Sequence, residues 1–326
     1  MDEFAGRSQE SRVRHEMTRA NPYERYIPRT FAWDIGFPEG PTLLSDGSLC
    51  VSEMRSQRIT RLFPDGTRKV VEELSGTPNG TAVDARGRIY YCETRRRDWV
   101  VRPYPYAWPG APEMDLPVPH TNATNEPRIG RKDAIGLAGQ AWSGATADGA
   151  EISQPSDITV DPLGNAYFTD GGSSRPGSTG MVWFKPGTGG PAEILVAPLS
   201  YPNGIALSPD NDILYVTETR TGRLWAFSLD APGLVSDREC IMVFASGGPF
   251  NVGGADGLTV AANGLVLVAC LGRGDVSIVD PREREVIGVL DCGDELLVTN
   301  VIVDDCNEYI YVTLGTTGAV LQWSKG

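Results

Sequence analysis

Apolar residues in this chain come in short runs of about four to eight, broken by Gly, Asp, Asn and Pro, which is the pattern of β-strands joined by turns. The run SLCVSE recurs as RIYYCET, NAYFTD, ILYVTET, LVLVACL and YIYVTLG. A second run recurs as RITRLFP, MVWFKP, RLWAFSL, DVSIVDP and AVLQWS, and is hard to find after RIYYCET. The unit beginning at Tyr201 reads as four strands, over 204–208, 213–219, 223–229 and 239–245. Each unit opens on a carboxylate, amide or hydroxyl ahead of small and β-branched residues: Glu39-Gly-Pro, Asn79-Gly-Thr, Ser156-Asp157-Ile, Asn203-Gly-Ile, Asp256-Gly-Leu and Asn300-Val-Ile.

These openings are 40, 77, 47, 53 and 44 residues apart. Repetition at about 40–50 residues marks a propeller or solenoid. The pattern predicts an all-β fold, a six-bladed β-propeller with four-stranded blades around a central channel. The long gap reads as one blade plus an insertion of roughly 30 residues. A seventh, degenerate blade is the alternative; six is preferred because residues 95–153 show no second set of strand motifs. Ring closure needs one blade built from both chain ends, and the strand near 29–34 fits beside the last blade, which ends at Trp323. The expected organisation is a polar N-terminal extension over 1–28 and a single propeller over 29–326, with the insertion at about 95–153.

Bulk properties narrow the partners. A chain of 326 residues exceeds the ~250–300 at which one core usually stops growing, but blades pack only on their neighbours. A net charge of −13 argues against nucleic acid and anionic membrane. The basic run Arg95-Arg96-Arg97 reads as a solvated loop. No run approaches the ~18 apolar residues of a membrane span, and the N-terminus has no apolar signal-peptide core. The six cysteines show no CxxC spacing; Cys50, Cys92 and Cys270 fall in predicted strands as free thiols, which fits a cytoplasmic setting.

Histidine occurs only at 15 and 120, which argues against Ser-His-Asp or Cys-His catalysis and against histidine-rich zinc sites. Chemistry is left to carboxylates, amides, hydroxyls and a hard metal. Equivalent positions of every blade face one channel, so the openings gather Glu39, Asp157 and Asp256 with Asn79, Ser156, Asn203 and Asn300. Three carboxylates at one mouth repel; a cation neutralises them or one stays protonated. Mixed carboxylate and amide oxygens suit Ca²⁺, Mg²⁺ or Mn²⁺. Taken singly, Asn-Gly and Asp-Gly are ordinary turn dipeptides; four at equivalent points of a repeat point to a ring.

The ordered set Glu39-Gly-Pro, Pro78-Asn79-Gly, Ser156-Asp157 before Val160-Asp161-Pro, Tyr201-Pro-Asn203-Gly-Ile, Ala255-Asp256-Gly-Leu and Thr299-Asn300 resembles the gluconolactonase/regucalcin (senescence marker protein) family of six-bladed propeller lactonases, over about residues 33–325. The resemblance implies a divalent metal on Glu39, Asn203 and Asp256: one cation, Ca²⁺ first, with Mg²⁺, Mn²⁺, Zn²⁺ or Fe²⁺ as alternatives. It implies Asp256 as general base, with Asp157 catalytic or metal-binding in some relatives. Asn79, Gln154, Ser156 and Asn300 are the expected substrate-binding positions. Many members have Asn where Ser156 stands, and the regucalcin branch has a substrate-contacting arginine at the place of Gln154.

The implied activity is hydrolysis of a lactone, its carbonyl polarised by the metal and attacked by water with a carboxylate as base. Alternatives are another ester or a phosphotriester in the same metal site, or a binding propeller without catalysis. Nothing signals an organic cofactor; a small-molecule substrate is expected, and an oligomer is open. The insertion carries Trp99, Tyr104, Tyr106, Trp108 and Trp142, with Pro103, Pro105, Pro109, Pro112, Pro117 and Pro119 close together, a stiff and extended composition. It reads either as a lid over the channel, favouring a bulkier and less polar substrate than a sugar lactone, or as an oligomer contact or surface arm. His120 reads as a loop residue or a substrate contact.

Overall fold

A computed structural model describes residues 20–103, 113–133, 140–143, 146, 149–172, 179–244 and 254–326. Its strands form six antiparallel four-stranded sheets and one two-stranded hairpin. Blade one is β2 (Pro38–Leu43), β3 (Leu49–Glu53), β4 (Arg58–Leu62) and β5 (Arg68–Glu73). Blade two is β6 (Thr77–Val83), β7 (Ile89–Thr94), β10 (Arg128–Lys132) and β11 (Gln140–Ser143), with the hairpin β8 (Arg97–Pro103) and β9 (Glu113–Pro119) inserted after β7. Blade three is β12 (Pro155–Val160), β13 (Ala166–Asp170), β14 (Gly180–Lys185) and β15 (Glu193–Leu199). Blade four is β16 (Pro202–Leu207), β17 (Ile213–Glu218), β18 (Arg223–Ala231) and β19 (Leu234–Val243). Blade five is β20 (Ala255–Val260), β21 (Val266–Cys270), β22 (Asp275–Asp280) and β23 (Glu285–Asp291). Blade six is β24 (Val298–Val303), β25 (Tyr309–Leu314), β26 (Ala319–Lys325) and β1 (Tyr26–Ala32). Each inner strand touches the next around a closed ring, from β2 through β6, β12, β16, β20 and β24 back to β2.

The expected closing strand is β1, antiparallel to β26 with Tyr26 opposite Lys325 and Pro28 opposite Trp323. It starts inside the segment expected as a polar extension. Tyr23 and Tyr26 are buried in the core shared with Trp323, so the propeller takes in the last residues of 1–28. The insertion also needs correction at its far end. Residues 128–143 contribute the two outer strands of blade two, and the added element is the hairpin β8–β9. Trp142 belongs to that blade, edge-on to Tyr90 with ring centroids 5.0 Å apart. Tyr104, Tyr106, Trp108 and His15 lie outside the described residues.

The second strands of blades one, two, three and five, β3, β7, β13 and β21, are buried along their whole length, which is why they read as nearly unbroken apolar runs. Neighbouring blades cover both of their faces. Cys50, Cys92 and Cys270 are buried within them as free thiols. On four second strands the run ends in an acid, and each acid does the same thing. Glu53 Oε2 accepts the Gly36 N–H at 3.3 Å, Glu93 that of Gly76 at 2.6 Å, Asp170 that of Ser153 at 2.7 Å and Glu218 that of Ser200 at 2.7 Å. In blade six, whose second strand ends in Leu314, Glu295 of the entering loop takes the Leu297 N–H at 2.7 Å instead. Each donor lies three residues before a channel-facing opening: Glu39, Asn79, Ser156, Asn203 or Asn300. The buried carboxylate thus fixes the backbone from which the site residue is presented.

Every inner strand then shifts register against its second strand at the opening, for example between Glu39 and Thr42, Pro78 and Thr81, and Pro202 and Ile205. Such bulges re-aim a side chain, and here they turn the opening residue into the channel. Hydroxyls on second strands add a tie between blades: Thr169 Oγ1 donates to the Asn203 carbonyl at 2.5 Å and Thr217 Oγ1 to the Asp256 carbonyl at 2.6 Å.

Asp170 receives three N–H donors, from Ser153, Gln154 and Gly172. Hydrogen bonds to a charged acceptor contribute about 1.5–3 kcal/mol each. Asp170→Asn turns one acceptor oxygen into a donor facing donors, and is expected to destabilise the protein by about 2–3 kcal/mol in urea unfolding; an unchanged midpoint would contradict the clamp.

Candidate active site

Seven residues of the six openings meet as two hydrogen-bonded strings around the channel. In the first, Asn79 Nδ2 donates to Ser156 Oγ at 3.3 Å, Ser156 Oγ to Asn203 Oδ1 at 2.8 Å, and Asn203 Nδ2 to Asp256 Oδ1. This string runs through blades two, three, four and five in order. In the second, Asn300 Nδ2 donates to Glu39 Oε2 at 3.4 Å and to Asp157 Oδ2 at 3.2 Å. Asn300 and Glu39 are on adjacent blades, whereas Asp157 comes from blade three, opposite blade six. The Asn300–Asp157 bond therefore spans the channel and makes its waist.

Asp157 reaches that far because it stands where four other openings carry glycine: Gly40, Gly80, Gly204 and Gly257. Those glycines leave room for the neighbouring tip. A Cβ at Gly80 would lie 2.1 Å from Asp157 Oδ1, and one at Gly257 would lie 2.1 Å from Asn300 Cγ. Sequence reading placed all these residues in one ring; the position of Asp157 nearer the axis needed the structure.

Glu39, Asp157 and Asp256 are all buried. Burial pushes the Asp157 carboxyl up to about 7, against N–H bonds from Ile158 and Ile205 and the Asn300 amide that pull it down. Burial, then repulsion from Asp157, raises Glu39; burial, then repulsion from Glu39 and Asp157, raises Asp256 well above the carboxylate range. Among the described residues no lysine, arginine or histidine figures among the groups acting on these three acids. A cluster of buried oxygens in that condition fits a hard divalent cation. Among the described residues no three His, Cys, Asp or Glu side chains converge closely enough to hold an ion by themselves, so any such ion would need amide oxygens as well. Asn203, bonded to Asp256, is placed to supply one.

Gln154 is not in the ring. It lies on the rim two residues earlier, at the level of Phe37, Thr77 and Tyr201. With its amide turned to satisfy its neighbours, its oxygen meets Tyr201 OH at 2.7 Å and Arg97 Nη2 at 2.5 Å, and its nitrogen meets Gly172 O at 3.0 Å. Arg97 comes from β8, so the hairpin reaches the site. Elsewhere Trp99 rests on Phe37 with ring centroids 5.0 Å apart, and Leu116 packs with Leu297, Leu271 and Leu296. From blade two the hairpin touches blades one, three, five and six at the ends where the inner strands begin. His120 Nδ1 lies 2.8 Å from Asp98 within this element and does not enter the ring. Below the waist a cavity of about 490 Å³ opens toward the other face, walled by the later halves of the inner strands, with Asp157 and Asn300 at its inner end. Arg97, Tyr201 and the four clamping acids were not singled out from sequence. The acids had a signal, the recurrent acidic end of SLCVSE, RIYYCET, NAYFTD and ILYVTET.

The family model described as "SMP-30/Gluconolactonase/LRE-like region" matches residues 37–316. This chain belongs to that family. Among curated relatives it is 32% identical over 131 residues to lactonase drp35 of Staphylococcus epidermidis, covering 39% of this chain and 38% of that protein. It is 31% identical over 108 residues to a gluconolactonase of Zymomonas mobilis, covering 29% of this chain and 30% of that one. The matched stretch thus spans well under half of these relatives. Among solved structures, a gluconolactonase of Xanthomonas campestris superposes with a TM-score of 0.70 at 24% identity, covering 93% of this chain and 91% of that one. A calcium-binding protein, regucalcin, of Agrobacterium tumefaciens gives 0.67 at 18% identity, covering 92% and 95%. These likenesses agree with the six-bladed fold. Among the described residues no helix is long and apolar enough to cross a membrane.

The buried acids of the ring carry a stability consequence. A buried acid whose folded pKa is raised stabilises the fold below its unfolded value, and that contribution is lost as pH rises through the folded value. For Asp157 the window runs from 3.8 to about 7. Metal-stripped protein is expected to lose stability across it, at up to roughly 1.4 kcal/mol per pH unit per acid, and Asp157→Asn to flatten the slope. Denaturant unfolding in chelator from pH 4.5 to 8 measures this; identical slopes for both proteins would contradict it.

Proposed function

We propose that this protein is a divalent-metal-dependent hydrolase that opens a lactone ring. The observation that carries the reading is the set of three buried carboxylates, Glu39, Asp157 and Asp256, gathered with amides and with no basic side chain among the described residues acting on them. Family membership and the lactonase relatives support the choice of substrate class.

Glu39, Asn203 and Asp256 would hold the cation, with Ca²⁺ first and Mg²⁺, Mn²⁺, Zn²⁺ or Fe²⁺ as alternatives. When bound, it supplies Lewis-acid polarisation of the substrate carbonyl and a counter-charge for the buried acids. The remaining steps belong to this chain's side chains. Asp157 and Asp256 are the acids available to take a proton from the attacking water. A general base works best with a pKa near the operating pH, and burial holds Asp157 above the ordinary carboxylate range in the ring without a cation. Asn300, already donating to Asp157, orients its carboxylate. Asn79 and Ser156 present an amide and a hydroxyl to the substrate on the opposite arc of the ring. The hairpin β8–β9 acts as a roof that limits water and contacts the substituents of the lactone.

Ser156 and Gln154, together with the aromatic and aliphatic underside of the hairpin, favour a substrate larger than a simple sugar lactone. Assaying a panel of lactones beside an aryl ester and an organophosphate separates the hydrolytic options, and a propeller that only binds would turn over none of them.

Glu39→Gln and Asp256→Asn are each expected to lower lactone hydrolysis by 10³-fold or more, on the order of 4 kcal/mol of transition-state stabilisation. The circular-dichroism spectrum of each should stay that of the folded propeller. Chelation should abolish activity in the unsubstituted protein and added Ca²⁺ or Mn²⁺ restore it. Full activity in either variant, or in exhaustively chelated protein, would sink the scheme.

A further inference from the structure

The rim above the acidic ring has a basic side. Arg97 projects from β8 to Gln154, its backbone N–H held by Thr77 Oγ1 at 3.0 Å. Its Nε is buried without a hydrogen-bond partner. Arg220, at the end of blade four's second strand, lies with Cζ 5.2 Å from the centre of the Tyr201 ring, and Tyr201 in turn bonds Gln154. Two guanidinium groups thus flank one rim segment, above Ser156 and Asn203.

Neither arginine has a carboxylate partner among the described residues, in a chain with 42 acids and 29 bases. Arg220 is exposed, but Arg97 is partly buried, and other partly buried arginines do have a carboxylate: Arg58 sits on Glu53, Arg88 on Asp84, Arg128 on Glu93 and Arg273 on Asp275. Nor does Arg97 or Arg220 serve the ring below, since no arginine acts on Glu39, Asp157 or Asp256. A guanidinium that has lost water at Nε and gained one neutral amide is short of an anion. The backbone that presents Tyr201 has φ of 60° on a bulky residue, as Phe37 does at the equivalent rim position with φ of 57°. Such conformations persist where the surroundings over-determine them, commonly at functional sites.

We propose that Arg97, with Arg220 behind Tyr201, recognises a carboxylate carried by the substrate beside the lactone ring. This rests on the hydrolase reading above and names its substrate class: a carboxylated lactone, whose ring lies over the acidic ring and whose charge lies on the rim between blades three and four. Arg97 is a specificity-determining residue supplied by the hairpin, so the inserted element sets substrate choice by charge as well as by covering the mouth. The guanidinium fork matches a planar carboxylate bidentately, which a lysine ammonium cannot.

The test compares a five-membered lactone bearing a carboxylate on the ring with its neutral carboxamide analogue. In the unsubstituted protein kcat/KM should favour the acid by about 10–100-fold, the value of a charge-assisted pair. Arg97→Met should reduce that ratio to near one, chiefly through KM, and Arg97→Lys should restore part of it. Equal kcat/KM for the two lactones, or a ratio that Arg97→Met leaves intact, would overturn the proposal. If neither lactone is hydrolysed, the hydrolase reading fails, and binding still decides this one. Calorimetry with the corresponding carboxylated lactam should show affinity about 10-fold or more weaker in Arg97→Met, and equal affinities would overturn the proposal.

Discussion

The site depends on a hydrogen bond repeated around the propeller: a buried acid accepting the N–H of the residue three positions ahead of a channel tip. Glu53, Glu93, Asp170 and Glu218 do this from the ends of second strands, and Glu295 does it from the entering loop of blade six. Loops are normally the mobile part of a propeller, and a tip carried on a free loop would not hold a ring of oxygens in register. A carboxylate in a low-dielectric interior makes each bond strong and makes its loss costly. In blade five β21 ends in Cys270, and the N–H three positions ahead of the tip belongs to Gly253, outside the described residues. Its tip, Asp256, is held by the Thr217 hydroxyl on its carbonyl and the Asn203 amide on its carboxylate.

A second constraint is electrostatic. The clamping acids have N–H donors, and several have an arginine as well; Glu53 has Arg58 and Glu93 has Arg128. Glu39, Asp157 and Asp256 have amides, backbone N–H groups and one another. The same residue type is therefore stabilising one strand out and destabilising at the axis. That contrast separates structural acids from functional ones in this fold. The Asn300 bridge to Asp157 moderates the repulsion, and it divides the channel into a roofed upper site and an open lower cavity.

Much of this was legible in the sequence. The six openings, the second strands and the use of the N-terminal strand to close the ring follow from period and composition, because blades repeat and their second strands are apolar on both faces. The ring residues were legible for the same reason: equivalent positions of a closed repeat must converge. Blade two was not. Its outer strands RIGRK and QAWS are short, basic or glycine-containing, and they follow a hairpin, so they merge with the insertion. The reach of Asp157 across the axis was hidden because it occupies a glycine position, and nothing local says that the neighbouring Gly80 makes room for it. Arg97 sits in a triple-arginine run that reads as solvated loop; only the fold of the hairpin brings one of the three back to Gln154.

We propose that the ring is completed by a divalent cation held on Glu39, Asn203 and Asp256. Crystals of the full chain grown with Mn²⁺ and measured at an energy where manganese scatters anomalously test it most directly. One strong anomalous peak is expected in bonding contact with oxygens of all three residues, lost in Asp256→Asn. No peak in the ring, or a peak bound elsewhere while the ring stays free of metal, would contradict it.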